Sequence, residues 1–133
     1  MAAEPVRVLS EDDVRRGIQR WCYEALEHTG YHMFGTASVV VRRLAMHSGD
    51  AWVERLEFSL QRGGFQNDTA IVNVFYAAGL LRFTSDWELS VRIDTQRVTQ
   101  AVLDRTLESV RRRIMSVSTI CSMFKIAPEN LEA

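Results

Sequence analysis

Thr95–Phe124 reads TQRVTQAVLDRTLESVRRRIMSVSTICSMF, and its apolar residues Leu103, Leu107, Val110, Ile114, Val117, Cys121 and Phe124 follow one another at alternating steps of four and three. Such spacing is an a/d seam along one side of an α-helix. Val98 and Val102 extend the stripe backwards, whereas Arg97, Asp104, Arg105, Glu108, Arg111 and Arg112 fall off it. The seam predicts one continuous helix, capped by Asp94 or Thr95 and roughly 45 Å long at about 1.5 Å per residue, against which the rest of the chain packs. The fold class expected is all-α, a single-domain bundle of about five helices ending in this long C-terminal one.

Upstream, residues 1–9 read as a flexible lead and 10–133 as the single helical domain. Ser10 with Asp13 three residues on has capping-box spacing, and Glu11, Asp12 and Asp13 suit the positive end of a helix dipole. Val14, Ile18, Trp21, Cys22, Ala25 and Leu26 make the buried stripe of that first helix, which Gly30 stops. After the aromatic connection Tyr31–Gly35, a second helix is expected over 36–47 and ended by Gly49. A third, capped by Asp50, is expected over 51–61 and closed by Gly63–Gly64. Asp68 then caps a helix over 69–81 that is apolar all round and so buried all round.

Three segments carry a competing pattern. Val39-Val40-Val41 is β-branched, Leu56, Phe58 and Leu60 alternate with polar residues, and so do Trp87, Leu89, Val91 and Ile93, where the rival is a short helix capped by Asp86. The alternative fold is therefore α+β, with strands near 37–46, 52–60 and 87–93.

With 133 residues, 47% of them hydrophobic and 25% charged, the chain has the composition of one ordinary globular domain. Its formal net charge of -1 gives no overall field toward nucleic acid or an anionic membrane, so electrostatic binding has to come from a patch. Cys22 and Cys121 fall on apolar helix faces and read as buried thiols of a reducing compartment. Met1–Val8 has neither the charge nor the apolar run of a secretory signal, and no segment has the length of a membrane span. A cytoplasmic protein without a membrane partner is expected.

The catalytic inventory is thin. There is no G-x-S-x-G, Walker loop, G-x-G-x-x-G or C-x-x-C. His28 and His32, with Cys22 nearby, are separated by Gly30 and lack a second ligand cluster, whereas zinc needs about four convergent ligands. Asp12, Asp13, Asp104 and Glu108 sit at helix starts or beside arginines, where capping and ion pairing account for them. These features predict a non-enzyme with no metal, cofactor or small-molecule substrate.

What the chain does offer is arginine, since all sixteen basic residues except Lys125 are arginines. Arg15 and Arg16, Arg42 and Arg43, and Arg111, Arg112 and Arg113 are adjacent groups whose planar forks suit phosphate. Backbone contact with nucleic acid leaves no sequence motif, so these seven are the candidate nucleic-acid-binding residues. Small size, helical content and arginine in place of lysine resemble the small helical subunit of CRISPR effector complexes, which are ribonucleoproteins of antiviral defence. That resemblance implies a non-catalytic subunit of a larger assembly lining nucleic acid. Two alternatives stand beside it. One is a protein-binding or self-associating module using Trp52, Phe65 and Trp87. The other rests on Thr119–Leu131, which resembles the helix-turn-helix of bacterial regulators, with Cys121 the small residue, Ile126 the turn's plug and Leu131 facing inward. Lys125 stands there where glycine is usual.

Overall fold

The computed structural model describes residues 7–28, 31–34, 37–48, 51–62, 65–77, 79–85 and 90–131. The expected turns at Gly49–Asp50 and Gly63–Gly64, the stop at Gly30 and cap at Asp86, Trp87, and the side chains of His28, His32, Trp52, Phe65 and Asp68 lie outside the described residues.

The fold is α+β and not an all-α bundle. Helix α1 (Glu11–Trp21) runs into a π-helical segment, Cys22–His28, and six strands follow: β1 (Tyr31–Phe34), β2 (Ala37–Ser48), β3 (Ala51–Arg62), β4 (Phe65–Ala77), β5 (Leu80–Ser85) and β6 (Ser90–Asp94). Three helices close the chain, α2 (Gln100–Ile114), α3 (Val117–Phe124) and the single turn α4 (Pro128–Leu131). The strands form one antiparallel sheet in sequence order, β1-β2-β3-β4-β5-β6.

Register explains the correction. Val39 and Val41 of β2 stand opposite Leu60 and Phe58 of β3, and Leu56 opposite Val72 of β4. Val74 and Tyr76 face Phe83 and Leu81 of β5 in the same way. All these side chains are buried on one face, where they meet Val14, Ile18, Trp21 and Leu26 from the first helical segment and Leu103, Leu107, Ile114 and Ile120 from the last. Trp21 packs edge-on to Phe83 with ring centroids 5.7 Å apart, a favourable aromatic geometry. The run over 69–81, apolar enough for a buried helix, is instead the end of β4 and the start of β5 with Gly79 in the turn between them, Val72, Val74 and Tyr76 pointing inward and Ile71, Asn73 and Phe75 lying on the opposite face, which carries no described helix. Side-chain alternation across neighbouring strands, not burial all round, disposes of its apolar surface. The alternative strands near 37–46 and 52–60 coincide with β2 and β3, and that near 87–93 overlaps β6.

The long C-terminal rod also breaks. Arg97 has φ 58°, so Thr99, not Asp94 or Thr95, caps α2, its Oγ1 accepting from the Val102 N–H at 3.3 Å. At the other end Ser116 restarts the helix, accepting from the Thr119 N–H at 3.2 Å while its hydroxyl donates to the Arg113 carbonyl at 2.9 Å. The seam survives because both helices turn the same stripe to one core, with Val102 the exception, exposed on the shoulder of α2. Lys125 ends α3 in the left-handed conformation (φ 54°, ψ 48°), and Pro128 opens α4. Ser10 caps α1 through the Asp13 N–H at 3.1 Å, and the lead is tied down from Leu9, whose N–H donates to the Val98 carbonyl at 2.8 Å.

The all-helical content expected with the resemblance to the small CRISPR subunit is corrected with the fold class; chain size and the preference for arginine are unaffected. Among the described residues no helix is long and apolar enough to cross a membrane.

Candidate functional site

Strand β6 is the last in sheet order, so one side of its backbone has no described strand neighbour. Its alternation turns Val91 and Ile93 toward the helices, where both are only half-buried. Beside them α2 presents Val102, Arg105, Ser109 and Arg113, three or four residues apart and so on one shoulder of the helix. Strand and helix enclose an open groove of about 450 Å³. Val91, Ile93, Val102 and Val110 form its floor, Arg105 and Arg113 stand at its rim, and no carboxylate is among the lining residues.

The seven predicted arginines do not gather in this structure. Arg15 is half-buried on α1, its Nε shielded without a hydrogen-bond partner, and Arg16 is exposed beside it. Strand alternation sends Arg42 and Arg43 to opposite faces. Arg42 is exposed 4.0 Å from Glu57, whereas Arg43 lies on the helix side, its Nε 3.8 Å from the buried Glu54 and its guanidinium 5.6 Å from the Tyr23 ring. In the triplet after Val110, Arg111 clasps Glu108 with both ends of its fork (2.9 and 2.6 Å), and Arg112 reaches the same carboxylate at 3.4 Å. The Arg111 hydrogen bonds, with Arg112 adding to them, hold the Glu108 carboxyl down at about 2. Arg113 alone of the triplet turns to the groove.

Signals for the groove were present but scattered. The period-two run through Val91 and Ile93 announces a strand without announcing its neighbour, and Val102 is read onto the buried seam although it is 37% exposed. Arg105 reads as one of the residues facing away. Nothing in sequence spacing brings β6 beside α2, because that contact depends on where the sheet ends.

Neither cysteine is positioned for chemistry. Cys22 is fully buried at the start of the π-helical segment, and burial, with Glu54 nearby, pushes its thiol well above the usual range, so the thiolate is disfavoured. Cys121 is buried too. Among the described residues no three His, Cys, Asp or Glu side chains come together as a metal site. No protein-family model, curated protein or solved structure matches this chain.

Proposed function

We propose that this protein is a non-catalytic binding module that joins a larger assembly by docking an extended segment of a partner protein in the groove between α2 and β6. The observation that carries the reading is the groove itself: an apolar floor beside an open strand edge, rimmed by Arg105 and Arg113. Extended peptides pair with such edges through backbone hydrogen bonds and place alternate side chains in the adjoining groove. The floor and rim select a segment whose groove-facing residues, every second one, are apolar along the floor and acidic where they reach Arg105 and Arg113.

A second copy of the chain fits less well. Two β6 strands, SVRID, paired in register about a two-fold axis would set Arg92 opposite its own copy, and like charges directly opposite are destabilising. A second reading, contact of exposed arginines with a nucleic-acid backbone, is favoured by the exposure of Arg16, Arg112 and Arg113 on the helical side of the molecule.

The two readings separate in one experiment. Fluorescence anisotropy is measured with a labelled extended peptide carrying Leu and Glu on one face, at every second position, and with a labelled oligothymidylate, each at two salt concentrations. Peptide binding that falls at least tenfold in Val102→Glu and in Arg113→Glu supports the groove. Peptide binding indifferent to both substitutions refutes it, and oligonucleotide binding that collapses with salt favours the second reading.

A further inference from the structure

The same alternation that sends Val91 and Ile93 into the groove sends Ser90 and Arg92 to the opposite face of the sheet, which carries no described helix. There Arg92 stands directly opposite Arg82 of β5, and Ser90 directly opposite Thr84. Directly opposed side chains on antiparallel strands have Cβ atoms only about 4.5–5.5 Å apart, and two like charges so placed destabilise the pair. Neither arginine is ion-paired to a described residue. The nearest acid along β6, Asp94, lies one pleat repeat from Arg92, its Oδ1 accepting from the Gln96 N–H at 2.8 Å. Arg82 lies 5.3 Å from the ring centroid of Phe75, its cross-strand neighbour on β4. That cation–π contact places the guanidinium over the Phe75 ring on this face of the sheet.

We propose that Arg82 and Arg92, flanked by the Thr84 and Ser90 hydroxyls, form a site for the phosphate group of a phosphate monoester or of inorganic phosphate. Two guanidinium forks can each give parallel N–H bonds to one tetrahedral oxyanion, and a monoester near pH 7 carries close to two charges to match theirs. The hydroxyl pair lies about 6.8 Å further along the strands, one pleat repeat away on the same face, within reach of the ester oxygens or the body of the ligand. Bound phosphate turns the repulsion between opposed arginines into a shared attraction. The site is on the other side of β6 from the groove and does not depend on it.

The test is thermal unfolding at fixed ionic strength, with chloride replaced stepwise by inorganic phosphate and, separately, by glycerol phosphate. Wild type is compared with Arg82→Gln, Arg92→Gln, Arg82→Lys, the distant exposed control Arg20→Gln and the groove variant Val102→Glu. Melting is expected to rise with ligand in wild type, Arg20→Gln and Val102→Glu. Each Gln variant should need at least tenfold more ligand for the same rise, and Arg82→Lys, charged but without a fork, should fall between. A response to glycerol phosphate stronger than to inorganic phosphate identifies an organic monoester as the ligand, and the reverse identifies free phosphate. Without ligand at low salt, Arg92→Gln should melt higher than wild type, because the opposed charge is gone. An equal ligand response in wild type and both Gln variants overturns the proposal. So does a response to oligothymidylate with none to either monophosphate, which would make this face a phosphodiester track.

Discussion

Gly17 sits in the middle of α1, where glycine costs a helix about 1 kcal/mol relative to alanine, so on helix propensity alone Gly17→Ala should stabilise the protein by that amount. The packing of α1 on α2 predicts the opposite. A Cβ built on Gly17 would stand 2.9 Å from Leu103 Cδ2, well inside the ordinary carbon–carbon contact of about 3.5–4.0 Å. Leu103 is 1% exposed and belongs to the core cluster with Val14 and Ile18, so its side chain has little room to withdraw. Overpacking of this kind costs about 1–3 kcal/mol, which sets against the propensity gain and leaves a net loss of about 1 kcal/mol. For a chain of this length that is about 3–4 °C in melting temperature. Urea unfolding followed by circular dichroism measures it as a lower midpoint at unchanged slope. The decisive comparison is the same substitution in a Leu103→Ala background. With the clashing methyl gone, Gly17→Ala should become stabilising, a coupling of about 2 kcal/mol between the two sites. If Gly17→Ala stabilises the wild-type chain, or if the two substitutions simply add, the close approach of α1 to α2 is refuted.

Lys125 adopts the left-handed conformation at the end of α3, which costs an L-residue about 1–2 kcal/mol and glycine nothing. After the greater freedom of glycine in the unfolded chain is subtracted, Lys125→Gly should raise stability by about 0.5 kcal/mol, and a lower urea midpoint would contradict the observed cap. The Glu108 carboxyl, held at about 2 by Arg111 in the folded chain against 4.5 unfolded, contributes stability that is fully present above the unfolded value and lost as pH falls toward 2. Because the pair is a partly exposed one on a single helix turn, screened by solvent, the effect is only a few tenths of a kcal/mol. Glu108→Gln should therefore be slightly less stable than wild type at pH 7 and equal to it near pH 2, and a gap that widens in acid would show the ion pair does not stabilise the fold.

The parts of the architecture legible from residues alone are those set by near neighbours. Ser10 caps its own helix, its Oγ accepting from the Asp13 N–H, and Val14, Ile18, Trp21, Cys22 and Leu26 repeat at helical spacing, so the first helix and its buried face can be read directly. The seam from Leu103 to Phe124 is likewise legible as a buried stripe. Its division into two helices is not, because a break at Met115–Ser116 leaves the four-and-three rhythm intact. The segments over 36–61 and 69–81 are ambiguous for a different reason. A run such as Ala70–Phe75 satisfies both helical burial and strand burial, and the choice falls to cross-strand partners well beyond a helical turn, as Leu56 and Ser85 are from Val72.

The arginines show the same division more sharply. Their abundance and adjacency are properties of the chain, but which way each one points is a property of the sheet. Arg42 and Arg43 are neighbours in sequence and separated by the full thickness of the sheet, while Arg82 and Arg92, ten residues apart and never adjacent in the chain, are set side by side by the β5–β6 register. Sequence by itself determined the composition of a globular domain, the capped amphipathic helices at either end and the absence of a catalytic motif. Tertiary structure alone decided that, among the described residues, a six-stranded sheet lies between them, that its β6 edge has no strand neighbour beside α2, and that its far face carries no helix. Helical stripes and caps are satisfied within a turn or two of backbone, whereas a strand has no partner for its hydrogen bonds or its apolar face until the rest of the sheet is present.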